Sequence, residues 1–294
     1  MTARVLSTHT LLMPGVPLYV HALHGKRYSV LIDTGTSAMK GQVLELCREA
    51  GKVAFVLLTH AHADHIGNNV AVRQETGAHF AAGGAAGWIE NLEQHYREFC
   101  LTDLLPEPPG QREEILGLMD GSVSLSLLLE EGSRFVLDDE TVLETLRLPG
   151  HKLEEIGFLE HTSRTLILGD VLLALAAPFF HGFETASGFR ASLNRLERLI
   201  HSGQALQVRA AHHPPLNPQQ ALGAVQATRS FLDDVEQATL EAAAGVNFET
   251  LWRTVSAKLN READFRGYAM LKVQVAELEA SGHLTQQQGR MECL

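Results

Sequence analysis

The chain has 294 residues, of which 45% are apolar, so it is too rich in core-forming side chains for a disordered chain and long enough for one large domain or two small ones. Its 35 acidic against 24 basic residues give a formal net charge of −11, which argues against nucleic-acid binding by general charge attraction. Cys47, Cys100 and Cys293 are too scattered for a disulfide framework or a thiolate metal site and suggest a reducing compartment, whereas fifteen histidines leave room for an imidazole site.

Residues 1–10 are polar with one arginine and residues 11–20 carry two prolines, so no signal-peptide core is expected. The longest apolar run, residues 171–180, is about half of what a bilayer helix needs and contains Pro178. A soluble, cytoplasmic protein is the expectation. Four short apolar runs read as buried strands. Residues 28–32 end in Asp33-Thr34-Gly35, residues 53–58 stop at Thr59-His60, residues 165–168 precede Gly169-Asp170, and residues 206–208 lead to Ala210-Ala211-His212-His213. Each strand thus ends on a candidate ligand or its support, where a rigid sheet holds functional loops. Residues 37–50 read as a helix closed by Gly51, and residues 192–201 as a helix with Leu193, Leu196, Leu199 and Ile200 on one face. Residues 85–132, with Trp88, Tyr96, Phe99, several prolines and a helical pattern over 112–119, read as a helical insertion able to act as a cap. Beyond residue 215 strand signals are weak. Pro218 opens a helix running to Ala244 and stopped by Gly245, and further helices are expected over 248–259 and 269–280.

Thr59-His60-Ala61-His62-Ala63-Asp64-His65 packs four candidate ligands into six residues. On an extended backbone His60 and His62 share a side, and a turn into a helix would present Asp64 and His65. This arrangement can feed two adjacent divalent cations, one from His60 and His62, the other from Asp64 and His65. Neutral imidazoles with a carboxylate suit zinc, with iron or manganese as alternatives. A polar loop that merely happens to hold histidines would rarely gather this set. Downstream, His151 follows Leu148-Pro149-Gly150, Asp170 follows Leu166-Ile167-Leu168-Gly169, and His212 is favoured over its neighbour His213. Alone, each is more simply a turn or cap residue; beside the first cluster, each becomes a candidate ligand.

These motifs, with Val30-Leu31-Ile32-Asp33-Thr34-Gly35 ahead of them, resemble the metallo-β-lactamase superfamily over about residues 5–215. The resemblance implies an α/β fold, a four-layer αββα sandwich with metals at one edge. It makes His60, His62 and His151 the ligands of one metal, Asp64, His65 and His212 those of a second, and Asp170 the bridge. Asp33 would orient the cluster through hydrogen bonds. A bridging aspartate resembles the glyoxalase II-like, lactonase-like and phosphodiesterase-like branches; lactamases usually place a cysteine there, and none lies near residue 170. Two departures affect the pocket rim. Lys152-Leu153-Glu154-Glu155 replaces the Thr-Pro-Gly-Ser common after the histidine, and His212-His213-Pro214-Pro215 replaces a glycine-flanked histidine. No basic run matching a glutathione site occurs near the C-terminus.

The expected organisation is a catalytic domain over 1–215, with the 85–132 cap, and a helical extension over 216–294. The extension is similar to that of a thioesterase-like signal-synthesis branch and, over 271–283, to the winged-helix-like tail of an endoribonuclease-like branch. It could also pair two copies into a homodimer. The expected chemistry is hydrolysis by a metal-bridging hydroxide of a small thioester, ester or lactone, with Asp64 or Asp170 handling the proton. Phe179, His181 and His213 are pocket candidates, and the aromatic and leucine content of 88–105 favours a substrate with an apolar portion. Rival readings are a metallo-endonuclease or phosphodiesterase acting on RNA or DNA, which needs a basic track, and a weakly catalytic regulatory or binding protein.

Overall fold

The computed structural model describes residues 4–13, 16–287 and 290–293. The first half runs β1 (Arg4–Met13), β2 (Val16–Leu23), β3 (Ser29–Ile32), a 3-10 turn (Ser37–Met39) into α1 (Lys40–Ala50), β4 (Val53–Leu58), α2 (Ala63–Ile66), α3 (Asn69–Thr76), β5 (His79–Ala82), three inserted helices α4 (Ala86–Glu90), α5 (Leu92–Phe99) and α6 (Gln111–Gly117), and β6 (Leu127–Leu128). The second half runs β7 (Arg134–Val136), β8 (Val142–Arg147), β9 (Ile156–Glu160), β10 (Thr165–Leu168), α7 (Ala186–His201), β11 (Gln207–Ala210), β12 (His213–Leu216), α8 (Pro218–Ala243), α9 (Phe248–Lys258), α10 (Phe265–Ala280) and the hairpin β13 (Leu284–Gln287) and β14 (Arg290–Cys293).

Two six-stranded sheets result, ordered β1-β2-β3-β4-β5-β6 and β12-β11-β10-β9-β8-β7. The central strands β3, β9 and β10 are buried on both faces, which is why they read as unbroken apolar runs rather than alternating ones. Val30, Ile32 and Leu57 of the first sheet meet Phe158 and Ile167 of the second in the inter-sheet core. The opposite face of the first sheet, Leu31, Val56 and Leu58, packs on Val43 and Leu46 of α1 and Val72 of α3. Leu166 and Leu168 of the second sheet pack on Leu193 and Leu196 of α7 and Val225 and Leu232 of α8. Helix, sheet, sheet and helix therefore form the four layers of an αββα sandwich.

Several elements differ from the sequence expectation. Residues 16–23 form a strand despite Pro17, and β12 carries Pro214 and Pro215. β12 is an edge strand, where a residue without an N–H leaves no ladder bond unmade. The span 85–132 is helical only through Gly117; Leu127–Leu128 is the outer strand of the first sheet, and a two-residue strand leaves no periodicity to read. α7 begins six residues earlier than its apolar spacing suggests. Thr185 caps it by accepting from Gly188 N, and Glu277 of α10 accepts from the Thr185 hydroxyl, Ala186 N and Ser187 N. α10 likewise begins at Phe265, where Asp264 Oδ1 accepts from Arg266 N and Gly267 N. After α10 comes a hairpin where no strand was expected, its strands paired Leu284 to Cys293.

Residue 215 lies within β12, and the apolar cluster of the second half runs from Leu146 to Met291, through the sheet, α7 and the C-terminal helices. The inserted helices lean on that region too. Phe99 meets Phe265 edge-on at 5.0 Å within a small cluster that includes Tyr96 and Cys100. Among the described residues, no helix is long and apolar enough to cross a membrane.

Candidate metal centre

The parallel neighbours β3 and β4 end side by side and deliver Asp33 and Thr59 to one another. Asp33 turns the chain with a positive φ of 59°, a conformation that a short polar side chain tolerates better than most. Its Oδ1 accepts from Thr59 N at 2.8 Å; its Oδ2 accepts from the Thr59 hydroxyl at 2.9 Å and from His65 Nδ1 at 2.8 Å. The loops after β3 and α2 are stitched together by Thr34 N donating to His65 O and Gly67 N to Gly35 O. A Cβ at Gly67 would lie 2.4 Å from the carbonyl oxygens of both Gly35 and Leu118, so only glycine fits that crossing.

On this frame seven sequence-expected side chains come together in two groups, His60, His62, His151 and Asp170 in one, Asp64, His65 and His212 in the other. Within each group the candidate ligand atoms lie within 4.8 Å of one another. His62 Nδ1 and His151 Nε2 are 2.9 Å apart. Asp170 stands between the groups. Its Oδ1 is 3.3 Å from Nε2 of both His65 and His212, and its Oδ2 is 3.6 Å from His151 Nε2. Asp64 Oδ2 is 3.4 Å from His212 Nε2.

The outer nitrogens of four of these imidazoles are occupied by protein. His65 Nδ1 donates to Asp33, His151 Nδ1 to Gly182 O, His212 Nδ1 to Pro17 O, and His60 Nδ1 faces the Thr59 hydroxyl. In the neutral rings this leaves the inner nitrogen of each free to act as a ligand. Four buried inner atoms, Nε2 of His60, His65 and His212 and Oδ1 of Asp170, have no hydrogen-bond partner. Each such atom costs about 1–3 kcal/mol if left unsatisfied, and their convergence is what a divalent cation resolves. Five imidazoles and two carboxylates suit zinc, iron or manganese.

Charge in the cluster is divided. Burial, and then the neighbouring imidazoles, hold His60 and His62 well below the usual histidine range. Burial opposes charge on His65 too, but the carboxylates of Asp64, Asp170 and Asp33 outweigh it and lift His65 well above that range. His212 is raised to about 10, burial again being outweighed, here by Asp170 and Asp64. Burial raises Asp170, yet His212 and His65 bring it well below the usual carboxylate range. At neutral pH His212 therefore carries a proton that a binding cation would displace.

The cluster forms the floor of a cavity of about 300 Å³. Phe99 and Ile115 of the insertion, Val16 of β2, and Pro178 and Phe179 give it apolar walls. Glu262 and Arg266, near the start of α10, close the remaining side, so the C-terminal region contributes to the wall. Phe179 and His181 line the cavity, with His181 Nδ1 3.9 Å from Asp170 Oδ2 and burial pushing the His181 imidazole down to about 3. His213, expected in the pocket, is not among the lining residues. Its ring points the other way and donates from Nε2 to the carbonyls of Leu172 and Leu173.

Several supporting residues escaped the sequence reading. Glu155, fully buried, accepts Asp170 N at 2.8 Å, and burial together with the Asp170 charge pushes its carboxyl well above the usual range. Lys152 pairs with Glu184 and lies 3.9 Å over the Trp88 ring. Trp88 and Phe99 in turn flank His62, at 6.3 and 5.1 Å between ring centres. The Lys-Leu-Glu-Glu segment contained the signal for Glu155 and Lys152, a charged pair beside a candidate ligand, but nothing in it showed that both side chains turn inward.

Comparison with known proteins agrees with this geometry. Residues 17–212 match the Metallo-beta-lactamase superfamily. A hydroxyacylglutathione hydrolase of Haemophilus influenzae is 32% identical over 150 residues, covering 50% of this chain and 62% of the relative. A second hydroxyacylglutathione hydrolase, from Methylococcus capsulatus, is 29% identical over 185 residues, covering 62% of this chain and 57% of that protein. The chain thus spans about three-fifths of the length of these curated relatives. The crystal structure of a metallo-beta-lactamase family protein from Thermus thermophilus superposes with a TM-score of 0.74 at 20% identity, covering 99% of this chain and 98% of that one, so the fold likeness extends through the C-terminal helices.

Proposed function

Because the chain belongs to the metallo-beta-lactamase superfamily, we propose that it is a dinuclear metal-dependent hydrolase of a small thioester, ester or lactone with an apolar portion, with zinc as the fitting ion. The observation that carries this reading is Asp170, which presents one carboxylate oxygen to His65 and His212 and the other to His151 at the floor of a cavity with mostly apolar walls. The likeness to two hydroxyacylglutathione hydrolases favours the thioester among these bonds.

Divalent cations, when bound, supply Lewis acidity that polarises a carbonyl and brings the ionisation of water toward neutral pH. The chain's own residues do the rest. His60, His62 and His151 would hold one ion, Asp64, His65 and His212 the other, with Asp170 shared. Asp33, Pro17 O and Gly182 O fix the imidazole tautomers that make this holding feasible. Asp64, whose side chain is 18% exposed at the cavity, accepts the proton released when water attacks the acyl carbon. His181, with Nε2 unpartnered, offers a hydrogen-bonding group beside the reacting carbonyl. Phe99, Ile115 and Phe179 exclude water and receive the apolar part of the substrate.

In the same reading residues 1–215 carry the chemistry and residues 216–294 complete the pocket. The compartment is the cytoplasm, in keeping with the buried free thiols of Cys47 and Cys100. Glu114 and Glu262 at the cavity wall, together with the acidic net charge, favour a small molecule over a nucleic acid. The test is turnover by zinc-, iron- and manganese-reconstituted protein on acyl-CoA, acyl-glutathione, aryl ester and lactone panels. Hydrolysis that a chelator abolishes and metal restores supports the reading; absence of turnover on every panel with fully loaded protein refutes it.

A further inference from the structure

We infer that Arg266 is the residue that recognises the substrate's remote end, taking an anionic group, carboxylate or phosphate, separated from the scissile bond by an apolar spacer. This rests on the hydrolase reading above and adds to it the charge of the substrate.

Among the described residues lining the cavity, Arg266 is the only lysine or arginine. It is held in place before any ligand arrives. Its Nε donates to Asp264 Oδ2 at 2.7 Å, its Nη2 donates to the same oxygen, and its guanidinium lies 3.5 Å over the Phe179 ring. Asp264 is itself fixed, because its other oxygen caps α10. A guanidinium has five N–H donors, and Asp264 engages those of two nitrogens. Nη1 has no acceptor among the described residues, and the side chain remains 25% exposed at the cavity. A cation fixed by stacking and a single carboxylate oxygen, with donors left over, is arranged to receive a second anion at little further ordering cost.

Its position says where that anion lies. His212, His181, Phe179 and Arg266 form a row of successive neighbours, with pairwise spacings of 5.7 Å, 5.4 Å and 3.5 Å. One end of the row is the metal cluster and the other is the guanidinium, so a substrate reaching both lays its middle along Phe179. Glu114 and Glu262 also line the cavity, but both residues are exposed and screened by water. Arg266 is left as the one cationic docking point among the described lining residues.

The experiment uses the full zinc-loaded chain and a set of thioesters sharing one acyl group, whose thiol ends terminate in a methyl, carboxylate, phosphate or ammonium group. Non-hydrolysable thioethers of the same set are titrated calorimetrically. The wild-type protein is expected to prefer an anionic member, and the larger preference distinguishes carboxylate from phosphate. Arg266→Ala should lower the anionic-to-neutral ratio of kcat/KM about tenfold or more, through KM, and weaken anionic thioether binding to the same degree. Arg266→Lys, which keeps the charge near Asp264, should recover part of both. Equal losses on all members, unchanged thioether binding, or a wild-type preference for the neutral or ammonium member overturns the inference. If no thioester is cleaved, the thioester form of the hydrolase reading fails, and the thioether titrations still decide the role of Arg266.

Discussion

Replacing Asp33 by asparagine tests how the site is assembled without touching any of the seven candidate ligands. Asparagine tolerates the positive φ of 59°, and its side-chain oxygen can keep the bond from Thr59 N. The amide nitrogen, however, takes the place of Oδ2, which accepts from both the Thr59 hydroxyl and His65 Nδ1. A donor would then face two donors. His65 can answer only by moving its proton to Nε2, the atom that looks toward Asp170 and Asp64, and a protonated Nε2 cannot bind a cation. Loss of such an outer hydrogen bond typically costs 10–100-fold in metal affinity. In Asp33→Asn that loss should fall on the Asp64, His65 and His212 group, while the His60, His62 and His151 group keeps its ion. Asp33→Ala goes further. It leaves three buried donors unanswered, at about 1–3 kcal/mol each, and should lower metal-free stability by about 3–9 kcal/mol. Zinc titration by calorimetry with a competing chelator separates the two affinities, and urea unfolding of the metal-free proteins measures the stability change. Two zinc ions bound by Asp33→Asn with wild-type affinity would refute the reasoning.

Other outcomes follow from single contacts. Gly150→Ala places a Cβ 2.5 Å from the Phe189 ring and 2.8 Å from its Cα, so His151 has to shift; metal content of the His60 group should drop and Tm fall by several degrees, read by mass spectrometry and calorimetry. Glu155→Gln keeps an acceptor for Asp170 N and should retain most activity, whereas Glu155→Ala should lower kcat about tenfold or more; equal kcat in the two variants counts against a positioning role. Because His212 is raised to about 10 in the metal-free protein, its contribution to stability is complete below about pH 6.5 and is lost as pH rises toward 10. The depressed His60 and His62 act the other way, so their contribution is lost as pH falls below about 6.5. Metal-free Tm should therefore peak near neutrality, and zinc binding at pH 7 should release protons, seen as a buffer-dependent calorimetric enthalpy.

Much of the site was legible because its chemistry is compressed. His60, His62, Asp64 and His65 sit within one turn after β4, and no folded context is needed to see that they meet. His151, Asp170 and His212 were legible only as strand-end residues, since chain separation conceals that β8, β10 and β11 lie in one sheet. The choice between His212 and His213 turned on which ring faces inward, which the bond from His212 to Pro17 O sets, and a backbone carbonyl leaves no mark in a sequence. The same holds for Gly182 O behind His151. β2, β6 and β12 were missed because prolines or extreme shortness erased their pattern while pairing with neighbours supplied the stability. Arg266 was out of reach because it comes to Phe179 only through the packing of α10.

The number of ions the cluster holds is the most direct test of a dinuclear centre. Native mass spectrometry of zinc-reconstituted protein should show two bound ions, with His62→Ala and His212→Ala each reduced to one. A wild-type protein that binds none, or one whose metal content is unchanged by either substitution, contradicts it.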